Sequence, residues 1–458
     1  MNVSAIRRAL VVSGVAALSI ASTAQAGLFR SYVKGENGND ANPCTLQQPC
    51  RLLPAALAAV NDGGEIWMLD SANFNVSPVT INKSVKIFAI PGALGSIVGS
   101  GGDAIIINTS GDVTLRNAQI LNFSGGVNGI NVVNAGAVHV EKTSIDGFTS
   151  DASSCIRVDS ANTVRLYVDD SFLRHCHTGL FVNGVATANR TSVIVDNTRI
   201  ERGFNSGATP TNGVWMTGSP DVTLRGVVIS RQDVGIRMEN PVTTSTSHLV
   251  LDHAIVTRTN LALAYSNGVA SANGQIIVKN SQIVDNGDGI TLANTATGSN
   301  VYVKISDSEL GQTSANGITA SNSAADTNSR IWVELERSQV RNVSNVDVAL
   351  SAINGAKSYL MAQDSRISHA TTGIGTSGGG AGGVTVDLLR SSIFSTTTAV
   401  NHGFGTVRLN GSHITNNANS LVNAGSGTVV SLGNNMIYDN TDATGGVVYI
   451  TPTIVPAK

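Results

Sequence analysis

The sequence predicts an all-β chain wound as a single-stranded, right-handed parallel β-helix solenoid. Three observations predict it. An apolar pattern recurs at a near-constant interval along most of the chain. Within each copy the apolar residues alternate at period two, as in a strand with one buried face. Between copies there is no helix-period segment to serve as a crossover.

The repeat is clearest when each copy is anchored on its isolated apolar residue. The anchors are Ile120, Ile145, Leu173, Ile200, Ile229, Val256, Ile283, Leu310, Val340, Ile367, Ile393, Ile414 and Ile437. The residues five before them run from Leu115 and Val140 to Leu409 and Leu432, and those seven before from Val113 and Val138 to Val407 and Val430. All 39 positions in these three columns are apolar, in a chain that is 41% hydrophobic. Strands this short cannot stand alone. Stacked coil on coil, they bury one continuous core and need only nearest neighbours. At about 4.8 Å per coil, the 13 regular coils would span roughly 60 Å.

Turn chemistry agrees. A two-residue corner separates the paired apolar positions from the anchor, as in Asn117-Ala118, Asp170-Ser171, Asn197-Thr198, Asn280-Ser281, Asp307-Ser308 and Asp364-Ser365. Asn and Asp tolerate left-handed backbone, and hydroxyls can bond neighbouring backbone groups. Glycines at 129, 179, 213, 235, 289, 317 and 373 open the third strand, which predicts a bend with positive φ there.

The ends differ. Arg7 and Arg8 precede an apolar run from Ala9 to Ala21, and Ala24-Gln25-Ala26 fits a cleavage site, so residues 1–26 read as a signal peptide. Residues 27–64 read as an N-terminal cap with a cysteine loop and a short helix over 51–61. The solenoid covers 65–450, its first coils irregular, and 451–458 form a tail whose prolines should stop pairing. No run in the mature chain is long enough to span a bilayer. The chain is therefore expected to be exported, to the periplasm, the cell surface or the medium.

Charged residues make up only 13% and the formal net charge is −2. That gives no support to nucleic-acid binding. Cys44 and Cys50 bracket a tight loop, and Cys155 and Cys176 lie 21 residues apart. In an exported chain two disulfides are the simplest reading, although adjacency of Cys155 and Cys176 depends on how neighbouring coils meet. No metal-ligand spacing or cofactor motif stands out, and nothing in the sequence sets an oligomeric state.

Functional candidates come from the outward positions of the Gly-apolar-x-apolar strand. Most are small: Asn131, Ala264, Thr291, Thr319, Ala349, Gly375. Four consecutive coils instead carry Arg157, Phe181, Trp215 and Arg237, accompanied by Asp159, Asn183, Thr217 and Glu239. The adjoining turn adds His175, His177 and Arg202. Aromatics can stack on sugar rings, arginines can clamp carboxylates, and a carboxylate or His beside them can move a proton. The same residues can equally form surface ion pairs over a packed aromatic pair. A second column, Arg116, Glu141, Asp169, Asp196, Arg225, Asp252 and Lys279, reads as a solvated face of partly compensating charge; the alternative is Ca²⁺ held through the oxygens of Asp169, Asp170 and Asp196.

The repeat and its corners resemble the right-handed β-helix, or pectin-lyase-like, superfamily over about residues 65–450. The segment Asp40-Ala-Asn-Pro-Cys44 to Pro49-Cys50, followed by a helix and Gly63-Gly64-Glu65-Ile66, resembles the start of exported bacterial β-helix proteins. The resemblance implies that the Gly-apolar-x-apolar sheet carries substrate, and that an enzyme on this fold would be a polysaccharide lyase or glycoside hydrolase. The catalytic motifs do not match. Asp169-Asp170 lies on the wrong strand for a polygalacturonase pair, Asn401-His402-Gly403 lacks a leading glycine, and Leu251-Asp252-His253 lacks the tryptophan of a pectate-lyase strand. The expected function is binding, with or without cleavage, of an extended polysaccharide along one sheet. The alternative is a non-enzymatic surface or adhesive solenoid.

Overall fold

The computed structural model describes residues 27–76, 78–184, 190–204, 209–442 and 452–454. The expected signal peptide lies outside these residues. The chain is a parallel β-solenoid in which each regular coil lays one short strand on each of three sheets. Sheet I holds strands such as Ala137–Glu141 and Arg165–Asp169. Sheet II holds Ser144–Asp146 and Phe172–Arg174. Sheet III holds Ser154–Asp159 and Thr178–Gly184. Among the described residues they have 17, 15 and 14 strands respectively.

Register follows the apolar columns. Ile145 pairs with Ile120 on one side and Leu173 on the other, and the anchors continue in step to Ile393, Ile414 and Ile437. All but the terminal Ile437 are buried. The columns slip once. In the last coil Val429 pairs with Val407 and Ser431 with Leu409, so Val429 rather than Val430 points inward. Two adjacent valines made either register readable, and the corner there takes up the extra residue at Gly433, which has φ +83°.

The corners between sheets I and II are left-handed as expected. Asn117, Asp170, Asn197, Asn280, Asp307 and Asp364 have φ between 46° and 56°. The following hydroxyls form an interior ladder between coils. The amide N–H of Ser281 donates to Ser308 Oγ at 3.1 Å, that of Ser308 to Ser338 Oγ at 3.2 Å, and that of Ser338 to Ser365 Oγ at 3.1 Å. Lys142 occupies the same corner with φ 48°. A left-handed conformation costs an ordinary L-residue about 1 kcal/mol. Lys142→Gly should therefore raise the thermal midpoint by an amount equivalent to roughly 1 kcal/mol, checked by calorimetry.

The third-strand glycines correct an expectation. Gly129, Gly179, Gly213, Gly235, Gly289, Gly317 and Gly373 do not have positive φ. Their reason is space. A Cβ on Gly179 would lie 2.3 Å from the Ile200 methyl and 2.6 Å from the Gly213 carbonyl oxygen. Glycine lets the strand close against the anchor of the next coil.

The N-terminal region departs from a simple cap. Leu28–Val33 is a strand that pairs in parallel with Val60–Met68 and opens sheet I. The helix is shorter than expected, Leu53–Ala59, and buries Leu53, Ala56 and Leu57. Pro54 stands in its first turn, where a missing N–H is tolerated. At the other end Thr453–Ile454 adds to sheet I beside Val430 and Ser431, so the tail continues pairing where its prolines were expected to end it. Both disulfides form, Cys44–Cys50 with Cα atoms 4.6 Å apart and Cys155–Cys176 with Cα atoms 5.6 Å apart. Among the described residues no helix is long and apolar enough to cross a membrane.

Candidate functional site

Sheet III aligns the outward residues by hydrogen-bonded register. Asn131 pairs with Arg157, Arg157 with Phe181, Phe181 with Trp215, Trp215 with Arg237, and Arg237 with Ala264. The four large side chains therefore rise from one column on successive coils. They also pack on one another. The Arg157 guanidinium carbon sits 4.1 Å from the Phe181 ring centre. Phe181 meets Trp215 edge to face with centroids 5.2 Å apart. Arg237 covers Trp215 at 4.6 Å. Such contacts are worth about 0.5–1 kcal/mol each at exposed sites.

The neighbouring column neutralises the ends. Asp159 accepts from Arg157 at 2.6 Å and from Asn183 at 2.9 Å. Glu239 accepts from Arg237 at 2.8 Å and from the Trp215 indole at 3.2 Å. Burial raises the Asp159 carboxyl pKa, but the bonds from Asn183 and Arg157 outweigh it, and the group lies below its ordinary range. Asp159 is thus ionised at neutral pH and is no proton donor; Arg157 and Asn183 hold it as the anion.

The three turn residues lie apart from this ladder. His175 Nδ1 is 3.0 Å from Asp146, which also accepts from Arg174 at 2.7 Å. His177 is buried, with Nε2 2.9 Å from Thr209 Oγ1. Arg202 is exposed in a left-handed turn and lines a cleft of 440 Å³ with Arg231 and Arg258 from the next two coils. Among the described residues no hydrogen bond or ion pair joins His175, His177 or Arg202 to Arg157, Phe181, Trp215 or Arg237.

Farther along sheet III the column becomes shallow. Thr319, Ala349, Gly375 and Asn401 are in register and line a trough of about 470 Å³ with Ser321, Ser351 and neighbours. Along sheet I, the charged column pairs across coils: Arg116 with Glu141 at 2.5 Å, Arg225 with Asp196 at 2.7 Å, Lys279 with Asp252 at 3.1 Å. Among the described residues Asp169 has no such cation; burial, then the charges of Asp170, Asp196 and Glu141, push its pKa up.

Sequence reasoning missed an aromatic column on sheet I. Tyr302, Trp332 and Tyr359 pair in sequence on three successive coils. Trp332 reads as part of the apolar run Ile331-Trp332-Val333, and only the alternation of that strand reveals that it points outward.

These features describe a parallel β-helix with shallow surface clefts on each of its three sheet faces. No family model matches the chain, and no curated protein matches it. Among solved structures it is similar to pectate lyase Pel9A, at 12% identity over 91% of this chain and 81% of that one, with a TM-score of 0.34. It is similar to the periplasmic alginate epimerase AlgG, at 10% identity over 78% of this chain and 77% of that one, with a TM-score of 0.44. The native GH136 lacto-N-biosidase from Eubacterium ramulus is a further neighbour, at 10% identity over 90% of this chain and 68% of that one, with a TM-score of 0.25. The fold assignment rests on the strand register above, and no residue role passes from these proteins to this chain.

Proposed function

We propose that the protein is exported and binds an extended acidic polysaccharide along the outward face of sheet III. The observation that carries the reading is the in-register ladder Arg157–Phe181–Trp215–Arg237, the only large side chains in a column that is otherwise small from Asn131 to Asn401. Ladder and trough lie on one straight face, and Arg157 to Asn401 covers nine coil steps, roughly 43 Å. That length suits a polymer rather than a small molecule. Sugar carboxylates would compete with Asp159 and Glu239 for the two arginines. Cleavage of the bound chain, by lyase or hydrolase chemistry, would draw on Glu239 as base. The two disulfides accord with an oxidising compartment, periplasmic or extracellular.

A second reading is a non-enzymatic display solenoid. What favours it is the closure of the ladder on itself, with Phe181 only 8% exposed. The experiment separates the two. Purified mature protein is screened by calorimetry against acidic and neutral polysaccharides. Binding to an acidic polymer, weakened about tenfold or more in Arg157→Ala/Trp215→Ala, supports the first reading. No binding leaves the display solenoid, and binding intact in the double variant removes the sheet III face as the site.

A further inference from the structure

The sheet I aromatic column has open groups that the sheet III ladder lacks. Of the three tryptophans, Trp67 carries Arg30 over its ring at 4.4 Å, and Trp215 carries Arg237. Trp332 is 38% exposed. One of its sides stacks on Tyr359, with centroids 4.9 Å apart and planes at 28°. Trp332 also borders a cleft of about 520 Å³ shared with Asn273, Gln275, Asn300, Tyr302 and Arg330.

Charge and hydrogen bonding around the cleft are uneven. In the next column Lys304 lies 2.9 Å from both Glu334 and Glu336, and the Tyr302 hydroxyl donates to Glu334 at 2.7 Å. Those groups are satisfied by one another. Burial, then the bond to Glu334, pushes the Tyr302 phenol up to about 12, so it stays a fixed donor that holds the cleft wall. By contrast, the side chains of Gln275, Asn300 and Arg330 make no hydrogen bond or ion pair among the described residues. The cleft lining has an unpaired guanidinium and no carboxylate. An exposed indole flanked by free amides and one free cation matches a sugar ring that carries an acid.

We propose that this cleft is a second carbohydrate site, on sheet I, for a uronic-acid residue: its C–H face stacks on Trp332, its hydroxyls bond the Gln275 and Asn300 amides, and its carboxylate pairs with Arg330. The site is separate from the sheet III face and does not depend on that reading. Gln275, Asn300 and Arg330 give up no bond within the protein when a ligand takes them up, whereas Arg157 and Arg237 must first leave Asp159 and Glu239, which favours binding here over the self-paired ladder.

The test is calorimetric titration of the mature protein with oligomers of galacturonate, mannuronate and glucuronate, and with a neutral gluco-oligosaccharide. The expected result is saturable binding of at least one acidic oligomer that falls about tenfold in Trp332→Ala and recovers in Trp332→Phe. Arg330→Ala should lose affinity for that oligomer by roughly tenfold and leave any neutral binding unchanged. Arg157→Ala/Trp215→Ala should leave this binding in place. Trp332 and Arg330 point outward, so thermal midpoints report whether the variants remain folded. Failure of all three acidic oligomers to bind overturns the proposal. So does binding that Trp332→Ala does not alter, or binding lost only in the sheet III double variant, which would assign the sugar to the ladder instead.

Discussion

Asp347→Ala should stabilise the protein, and by more at high pH than at low. Asp347 lies on the sheet III strand Val346–Ala352, at the position that glycine holds in most coils. It is fully buried, and neither carboxyl oxygen has a hydrogen-bond partner among the described residues. Its surroundings are those of the glycine column. A Cβ at Gly317 would face a Val340 methyl at 2.8 Å, and one at Gly373 would face Ile393 at 2.8 Å and Ile367 at 3.5 Å. Burial alone lifts the Asp347 pKa to about 9. The folded chain therefore holds a proton that the unfolded chain releases near pH 3.8. Between those values the unfolded state binds fewer protons, so folding stability falls as pH rises. At pH 7 the linkage amounts to roughly 4 kcal/mol. Ala262 and Ala399 occupy the same column, so a methyl group fits there. Urea unfolding of both proteins from pH 4 to pH 9 measures the effect. The wild type should weaken with pH while the variant holds, opening a gap of several kcal/mol. Parallel curves would mean that Asp347 finds a partner or water.

Asp347 also shows what was and was not legible in the chain. The tube was legible because side-chain alternation and coil length are both periodic, and a period survives one odd residue. Asn and Asp corners were legible because those residues relieve a left-handed backbone. The second left-handed column, at the turn from sheet II to sheet III, was not. It is filled by His175, Arg202, Arg231, Arg258 and Asp285, with φ between 48° and 61°, and no residue type marks it. Coil stacking imposes that conformation against local preference. The opening strand Leu28–Val33 was hidden for a related reason: its ladder is to Val60–Met68, beyond the cysteine loop and the helix, and its bridge within the loop is the isolated pair Val33 and Cys50. At the site, the alignment of Arg157 with Phe181, Trp215 and Arg237 followed from counting offsets to the anchors. Their stacking did not, because register places Cβ atoms but not the ends of long side chains. Trp332 was passed over because an aromatic inside an apolar run looks like core until the parity of its strand is known.

The covalent tie between two coils gives the other large effect. Cys155–Cys176 closes a separation of 21 residues, against 6 for Cys44–Cys50. Loop-closure entropy then predicts a loss of about 3 kcal/mol when the first is removed and about 2 kcal/mol for the second. Geometry adds a reason for the same order. Cys155 sits two residues before Arg157 on one coil, and Cys176 sits in the turn that leads into the strand of Phe181 on the next. The bridge thus clamps the two coils whose side chains stack at 4.1 Å. In a solenoid each coil is held chiefly by its neighbours, so loosening one junction weakens the array locally. Cys155→Ala/Cys176→Ala should lower the unfolding midpoint more than Cys44→Ala/Cys50→Ala. It should also raise amide exchange over Ser154–Asp159 and Thr178–Gly184 while the strands beyond Ala264 keep their protection. A smaller loss than the Cys44/Cys50 variant, or exchange rising evenly along the tube, would place the control of that junction in the hydrogen-bonded ladder rather than in the bridge.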